Sequence, residues 1–511
     1  MVLQVVNYHL ERMGLHGWLV GGSVRDRLLG VANHDLDIAV DGDVMALGRA
    51  IAQATEGRFV VLDHVHPTAR VVWTGKDRPN QGLTVDLVRL RASTLDTDLQ
   101  LRDFTINALA VPVHLTDWAP ADVLDPTGGL CDLKQGIVRA CGPAALTDDP
   151  LRMLRAIRIA AQFDFVLAPE LRTEIQAQHM WIVAVAHERI RDELLRLLAL
   201  PHAAHSLTEL DHLGLLTTII PELEPARRCD QPGGHHYLPV LEHMLEAVRA
   251  WEWIEQGLRA DSATVIDPPL AVTAHPDLWA ALASGARITA SMQSAVDGVP
   301  RSALFKLALL MHDIAKPQTK ALKPDGSASF YDHQAIGAEI ARDVALRLRI
   351  SKAGSEYVWT VVHNHMRPGQ LAELSTRLSR RAIYRFFAAT GDAGPDVLVH
   401  MLCDYMAMRG PQLSPESWKA TVEWVNHMLD QFYNVPETVR PEPLVNGHDV
   451  MSVLGLPAGP QVGKLMASLR EAQASGEVVT RDEALELARR LSSGEGKSSD
   501  VQGNDDVRAW G

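Results

Sequence analysis

Trp18-Leu19-Val20-Gly21-Gly22-Ser23-Val24-Arg25-Asp26-Arg27-Leu28-Leu29-Gly30, followed closely by Asp35-Leu36-Asp37-Ile38, decides the fold. An apolar strand runs into a Gly-Gly-Ser turn and a short helix, and the next strand offers two carboxylates at i and i+2. Side chains alternate faces along a strand, so Asp35 and Asp37 point the same way, and like charges this close need a cation to offset their repulsion. Mg²⁺ is commonly held by one or two carboxylates plus substrate phosphates, and the amides of a Gly-rich turn can cradle a triphosphate. Each piece alone has a plainer reading: Gly-Gly as a turn, Asp-x-Asp as a solvated strand edge. In this order and spacing they point to nucleotidyl transfer at a magnesium site.

Three further stretches extend the pattern. Leu83-Thr84-Val85-Asp86-Leu87-Val88 reads as a β-branched strand with its one charge in the middle. Burying a lone carboxylate is costly unless it is paired or metal-bound, so Asp86 is either a metal ligand or a residue of an edge strand in water. Arg102-Asp103-Phe104-Thr105-Ile106-Asn107-Ala108-Leu109 follows, and then Asp125-Pro126-Thr127-Gly128-Gly129-Leu130, by itself only a turn signal. Asp148-Asp149-Pro150-Leu151-Arg152-Met153-Leu154-Arg155-Ala156-Ile157-Arg158 opens a helix with an Asp cap and Pro in the first turn. Asp149 and Arg152, three apart, share a face and offer an acceptor and a donor fork, the equipment for reading the edge of a base. Arg155 and Arg158 continue a cationic stripe beside Leu151, Leu154 and Ile157. An ordinary capped amphipathic helix has the same pattern.

These motifs together resemble the class II bacterial tRNA nucleotidyltransferase and poly(A) polymerase family, which has a polymerase-beta-like catalytic head. The resemblance implies Asp35, Asp37 and Asp86 as catalytic, Mg²⁺-binding carboxylates. It implies a nucleotide site with Gly21, Gly22, Ser23 and Arg25 on the triphosphate and Arg102 and Asp103 on the ribose. Asn107 would support that turn, and Asp149 with Arg152, beside Arg155 and Arg158, would read the base. Two departures stand out. Leu101 takes the place of the first of two arginines, which puts a contact to the incoming phosphates in doubt. Only the ten residues from Ala92 to Leu101 separate Arg91 from Arg102, where members that add C, C and A carry a long mobile loop. A short loop resembles members restricted to adding A.

A second site is suggested by His243, the pair His312-Asp313 at the end of the apolar helix Leu304 to Met311, His333, then His363 and His365 in Val361-Val362-His363-Asn364-His365, and Asp404. A lone His is more often a core or surface residue, and the chain has 22 of them, but the order His, His-Asp, His, His, Asp on successive helices resembles the HD phosphohydrolase superfamily. The ligand set that this implies is His243, His312, Asp313, His333, His363 and Asp404, with His365 the alternative to His363. Imidazole with carboxylate suits Mn²⁺, Ni²⁺ or Fe²⁺ better than Mg²⁺, and such a metal turns bound water into a nucleophile. Within the family an intact set implies phosphatase or 2′,3′-cyclic phosphodiesterase activity.

At 511 residues the chain exceeds what one hydrophobic core supports, and 47% apolar with 22% charged residues is the composition of a globular protein. The expected architecture is multidomain α+β: a small mixed-sheet head over 1–140, an all-α neck over 141–225, an HD domain over 226–410, a helical C-terminal region over 411–490 and a disordered tail over 491–511. Arg58 to Leu62 and Arg70 to Trp73 supply strands, Gly233 to His236 opens the HD region, and Asp261 to Arg301 reads as a variable insertion. No run of apolar residues is long enough to span a membrane, no signal peptide is visible, and the cysteines at 131, 141, 229 and 403 lack metal-ligand spacing, so a cytoplasmic protein with reduced thiols is expected. A net charge of −14 excludes a broadly basic nucleic-acid binder, although Arg377, Arg380, Arg381 and Arg385 form a basic helical face that either meets RNA or is merely solvated. The expected activity is transfer of AMP, or of AMP and CMP, from ATP or CTP to the 3′ end of tRNA. Poly(A) polymerase is the nearest alternative, and an HD phosphohydrolase with an RNA-binding head is an alternative from another class.

Overall fold

The computed structural model describes residues 2–73, 82–232, 236–259, 267–275, 281–374 and 378–493. The chain divides into two compact units, Met1–Arg189 with His212–Thr218, and Ile190–Asp211 with the chain from Ile219 onward.

The first unit is built on a six-stranded mixed sheet. Its strands are β1 (Gly17–Val20), β2 (Asp35–Val40), β3 (Arg58–Asp63), β4 (Thr68–Val72), β5 (Thr84–Arg89) and β6 (Ala110–Pro112), in the order β3-β4-β5-β2-β1-β6. Only β2 and β5 are parallel; the other neighbours are antiparallel. Helices α1 (Val2–Met13), α2 (Gly22–Leu28), α3 (Val44–Thr55) and α4 (Leu95–Gln100) accompany the sheet. The sequence of β2 explains its placement. Ile38, Ala39 and Val40 are fully buried, whereas Asp35 at the other end is exposed, so the strand leaves the core and carries its carboxylates to the rim. α3 begins cleanly because Asp43 caps it, accepting hydrogen bonds from the amides of Met45 at 2.9 Å and Ala46 at 3.1 Å.

Three more helices complete the part of this unit that concerns the site: α5 (Gly129–Gln135), α6 (Ala145–Asp148) and α7 (Leu151–Phe163). The Asp-Pro-Thr-Gly-Gly stretch does more than turn the chain. Asp125 receives the amides of Gly129 at 2.7 Å and Leu130 at 3.0 Å, which starts α5 against the turn Thr105–Asn107. The approach is so close that a Cβ on Gly129 would lie 2.0 Å from the Thr105 carbonyl oxygen, and Thr105 donates its hydroxyl to Asp132 at 2.7 Å. α5 thereby buttresses the turn that follows Arg102 and Asp103.

The second unit is helical apart from short hairpins such as Lys320–Leu322 with Ala328–Phe330. The helices Val240–Leu258, Arg301–Met311, His333–Arg347, Lys352–Asn364 and Gly394–Arg409 surround a core that includes Trp251 and Phe305. A separate apolar cluster around Val450, Leu469 and Ala488 holds the helices Gly447–Leu454, Pro460–Ser475 and Arg481–Ser493 together. Two arginines of the basic face expected at 377–385 are paired there. Arg381 pairs with Glu471 at 3.3 Å and Glu477 at 2.6 Å, and Arg385 pairs with Glu471 at 2.7 Å, so these contacts fasten helices to each other, while Arg380 and Arg385 remain exposed. Arg377, Gly233 to His235 and most of the expected tail lie outside the described residues. Among the described residues no helix is long and apolar enough to cross a membrane.

Candidate functional sites

The first site is a row of charges across three neighbouring strands. Asp37 stands opposite Asp86 in the parallel β2·β5 register, and Arg70 stands opposite Asp86 in the antiparallel β4·β5 register, so the three side chains share one face. Asp35 lies two residues back on the same face of β2. Burial and the nearby Asp86 push the Asp37 carboxyl up to about 6, against the pull of Arg102 and Arg155. Gly21 brings the turn up to this row. Its φ of +66° favours glycine, and a Cβ there would sit 3.5 Å from Arg102 Nη1 and 3.7 Å from Asp37 Oδ2. The oxygen-only acidic set, with one carboxyl held toward its neutral form by burial and by Asp86, fits a hard divalent cation.

Ser23 and Arg25 serve this turn from beneath. Ser23 Oγ donates to the Asp35 carbonyl at 3.0 Å and accepts the Asp37 amide at 2.7 Å, which sews the turn to β2. Arg25 is buried; it donates to Asp26 at 2.8 and 2.6 Å and to Asn107 at 2.5 Å, and its guanidinium lies 4.4 Å from the Phe163 ring centroid. Three of the five N–H donors of Arg25 are engaged inside the unit, where it ties α2 to the 105–107 turn and to α7, so the triphosphate contact expected of it would use the other two. Asp103 accepts from the Phe104 amide at 2.8 Å and Asn107 Nδ2 at 3.1 Å and faces Arg155 at 3.1 Å. Burial opposes its charge, but Arg155 and these hydrogen bonds hold the carboxyl below its usual range. Arg102 pairs with the buried Asp98 at 3.2 Å, a partner that the sequence reading did not single out.

The helix start behaves as its sequence indicates, with Asp149 accepting the Leu151 amide at 3.3 Å. Asp149 and Arg152 do not pair with each other. Arg189 grips the Asp149 carboxylate at 2.7 and 3.2 Å, and Arg152 donates to the carbonyls of Ala145 at 3.1 Å, Leu101 at 3.3 Å and Arg102 at 3.4 Å. Arg158 reaches Gln162 at 2.7 Å. A cleft of about 560 Å³ opens beside Arg152, lined among others by Leu101, Arg102, Arg139, Cys141 and Asp148.

The second site is a buried nest of imidazoles and carboxylates. His243 Nε2 lies 3.2 Å from His312 Nε2, 2.9 Å from Asp404 and 3.5 Å from Asp313. On the other side of Asp313, His333 Nε2 lies 3.3 Å from His365 Nε2, and the two stand 3.4 and 3.7 Å from Asp313 Oδ1. Three of these rings have a fixed tautomer, because His312, His333 and His365 each donate Nδ1–H to a backbone carbonyl three residues earlier, at 2.8, 2.6 and 2.6 Å. Their Nε2 lone pairs therefore converge, and lone pairs 3.2–3.3 Å apart repel unless a proton or a cation lies between them. Asp313 joins two groups with metal-ligand spacing, His243–His312–Asp313 and Asp313–His333–His365. Burial opposes charge on His312, but Asp313 and Asp404 push its pKa up to about 10, while burial drives His365 down to about 3. A transition-metal dication answers the same demand as that proton, and the mixed imidazole and carboxylate set fits one.

The assignment of His363 is corrected. Its ring stacks on Trp359, with centroids 4.4 Å apart, and His365 takes the inward position. Two residues further along a helix is a rotation of about 200°, so only one of the two can face the nest. Sequence reading also missed Lys316 and His400. Lys316 Nζ is 2.6 Å from Asp313 and 2.8 Å from Gln231, and its spacing of three from Asp313 on a helical stretch was the available signal. His400 is fully buried with its ring 4.8 Å from that of His312, one helical turn before Asp404.

Three family profiles match the chain: "Poly A polymerase head domain" over residues 17–139, "Probable RNA and SrmB-binding site of polymerase A" over 164–227, and "HD domain" over 281–407. His243 lies outside the last of these and reaches the nest only through the fold. The chain is 32% identical to the A-adding tRNA nucleotidyltransferase of Deinococcus radiodurans, covering 92% of this chain and 94% of that one. It is also 32% identical to the CC-adding tRNA nucleotidyltransferase of Thermus thermophilus, covering 91% of each. The fold is similar to that of the Thermotoga maritima CCA-adding enzyme complexed with tRNA, with a TM-score of 0.55 at 21% identity over 96% of this chain and 94% of that one. With carboxylates, Gly-Gly turn and helix start all in family order, and relatives matching over nearly its whole length, the chain belongs to the tRNA nucleotidyltransferase and poly(A) polymerase family and carries an HD domain.

Proposed function

We propose that the protein adds a single AMP from ATP to the 3′ end of tRNA that already ends in CC. The observation that carries A rather than CC or CCA is the short connection before the ribose turn. Thr94 caps α4, accepting the Thr97 amide at 3.3 Å, and Leu101 ends it, so six of the ten residues from Ala92 to Leu101 form a compact helix. The Deinococcus relative named A-adding supports this reading, while equally similar relatives named CC-adding leave nucleotide choice to be measured. Asp35, Asp37 and Asp86 would hold Mg²⁺, which when bound lowers the cost of charge on the attacking 3′ oxygen and on the leaving pyrophosphate. The chain's own part is positioning. Gly21 admits the triphosphate edge beside Asp37, Asp103 and Asn107 hold the sugar turn, and Asp149 and Arg152 exchange Arg189 and the backbone carbonyls for a base.

The HD nest supports a second activity, hydrolysis of phosphoesters at RNA ends with Mn²⁺, Ni²⁺ or Fe²⁺ held by His243, His312, Asp313, His333, His365 and Asp404. A cytoplasmic location belongs to the proposal, supported by four cysteines all outside disulfides. Labelled ATP and CTP, supplied singly and together with Mg²⁺ to tRNA transcripts ending at the discriminator base, C or CC, test the assignment. One A on the CC end alone is the expected product, lost in Asp35→Ala. C, C and A on the bare end would overturn A-specificity, a long A ladder would indicate a poly(A) polymerase, and near-normal incorporation by Asp35→Ala would overturn the site.

A further inference from the structure

Asp86 already faces a cation, and that cation belongs to the chain. Arg70 Nε meets Asp86 Oδ1 and Arg70 Nη2 meets Oδ2, each at 2.7 Å, a fork-to-fork pair that uses both carboxylate oxygens. The register makes this arrangement lateral and fixed: Arg70, Asp86 and Asp37 are consecutive along one row of the sheet, with Asp35 beside it. The Arg70 charge is reinforced by Asp86 first and also by Asp35 and Asp37. Arg102 pairs with Asp98 and Arg155 with Asp103, and both also pull on Asp37, whereas the fork on Asp86 is made by Arg70.

We propose that Arg70 is a built-in counter-cation of the transferase centre, one that occupies Asp86 in the metal-free protein and must yield a carboxylate oxygen before Asp86 can bind a divalent cation. The inference rests on the reading that Asp35, Asp37 and Asp86 hold Mg²⁺. Without Arg70 the Asp86 carboxylate would have no fork on it; with it, the centre takes up a cation only when that gain exceeds the loss of the fork. Arg70 is a positioning residue acting through Asp86, and it sets the free cation concentration at which the head becomes competent. Its side chain is 41% exposed, so the pair has the strength of a partly screened one. Removing it should tighten cation binding about fivefold, equivalent to about 1 kcal/mol.

The test is a Mn²⁺ titration by electron paramagnetic resonance on the full chain carrying Asp313→Ala, which disables the HD nest. Head sites are those that disappear when Asp35→Ala is added. Arg70→Leu removes charge and fork, whereas Arg70→Lys keeps charge and stem and removes the fork, so it remains informative even if the Leu variant fails to fold. The expected result is tighter head binding in both variants, at least twofold for Lys, with a parallel fall in the Mg²⁺ needed for half-maximal ATP incorporation. If Lys matches the parent and Leu alone binds more tightly, the general field and not a competing fork is responsible, and the proposal is overturned. Weaker binding in both overturns it in the other direction, with Arg70 holding Asp86 in place for the cation. Absence of any Asp35-dependent Mn²⁺ in the parent defeats the transferase reading itself, and this inference with it.

Discussion

Replacing Asp37 with Asn should stabilise the head while destroying its activity. In the metal-free protein burial and Asp86 raise the Asp37 carboxyl from 3.8 to about 6, so keeping it ionised at neutral pH works against folding. At about 1.4 kcal/mol per pKa unit, the ionised form costs about 3 kcal/mol. The sign follows from linkage. A group with its folded pKa raised contributes stability that is fully present below the unfolded value of 3.8 and is lost as pH rises through about 6. An isosteric Asn is neutral throughout, so its advantage is full above pH ~7, roughly half at pH ~5, and almost gone at pH ~4. Hydrogen exchange of peptides covering β2 and β5, followed by mass spectrometry in the presence of EDTA, reads this locally. The Asn variant should exchange up to about a hundredfold more slowly at neutral pH, with that protection vanishing toward pH ~4, and should incorporate no AMP. Equal or faster exchange at neutral pH, or a gain that does not change with pH, would refute the argument that the centre stores unfavourable charge for a cation to relieve.

His365→Ala should lower the content of tightly held transition metal in the purified protein, measured by inductively coupled plasma mass spectrometry, whereas His363→Ala should leave it unchanged; the reverse pattern would restore the assignment of His363. Gly21→Ala should cost about 1–2 kcal/mol of head stability, because its φ of +66° strains any residue with a Cβ. It should also cut AMP incorporation at least tenfold through the methyl placed between Asp37 and Arg102, and normal turnover in that variant would show that the turn has room to spare.

The strand–turn–helix around Gly21 and Gly22, the Asp-x-Asp strand and the capped helix start at Asp149 were legible because each is a local pattern, in which side-chain period, turn chemistry and capping act over a few residues. Asp86 was ambiguous in the sequence for a related reason. A lone Asp on an apolar strand signals a partner but cannot name it, and the partner is Arg70, sixteen residues earlier and across a strand pairing. Arg25 had the motif's residue type, yet its direction depends on Asn107 and Phe163, which only folding brings near it.

The same division holds in the second unit. The order of His and Asp along the helices could be read, but which of two histidines two residues apart turns inward depends on the rotation of the helix Lys352–Asn364 against its neighbours. Lys316 and His400 were not singled out in the sequence, and tertiary contacts set them against Asp313 and His312. The basic run after the HD motifs carried the charge expected of an RNA-facing helix, and Glu471 and Glu477, about ninety residues away, turned Arg381 and Arg385 to a structural use. Sequence by itself determined the elements and the chemical inventory, since both are set by local patterns and residue type. Only the tertiary structure decided which charges face one another, because pairing energies depend on distance and burial between residues far apart in the chain.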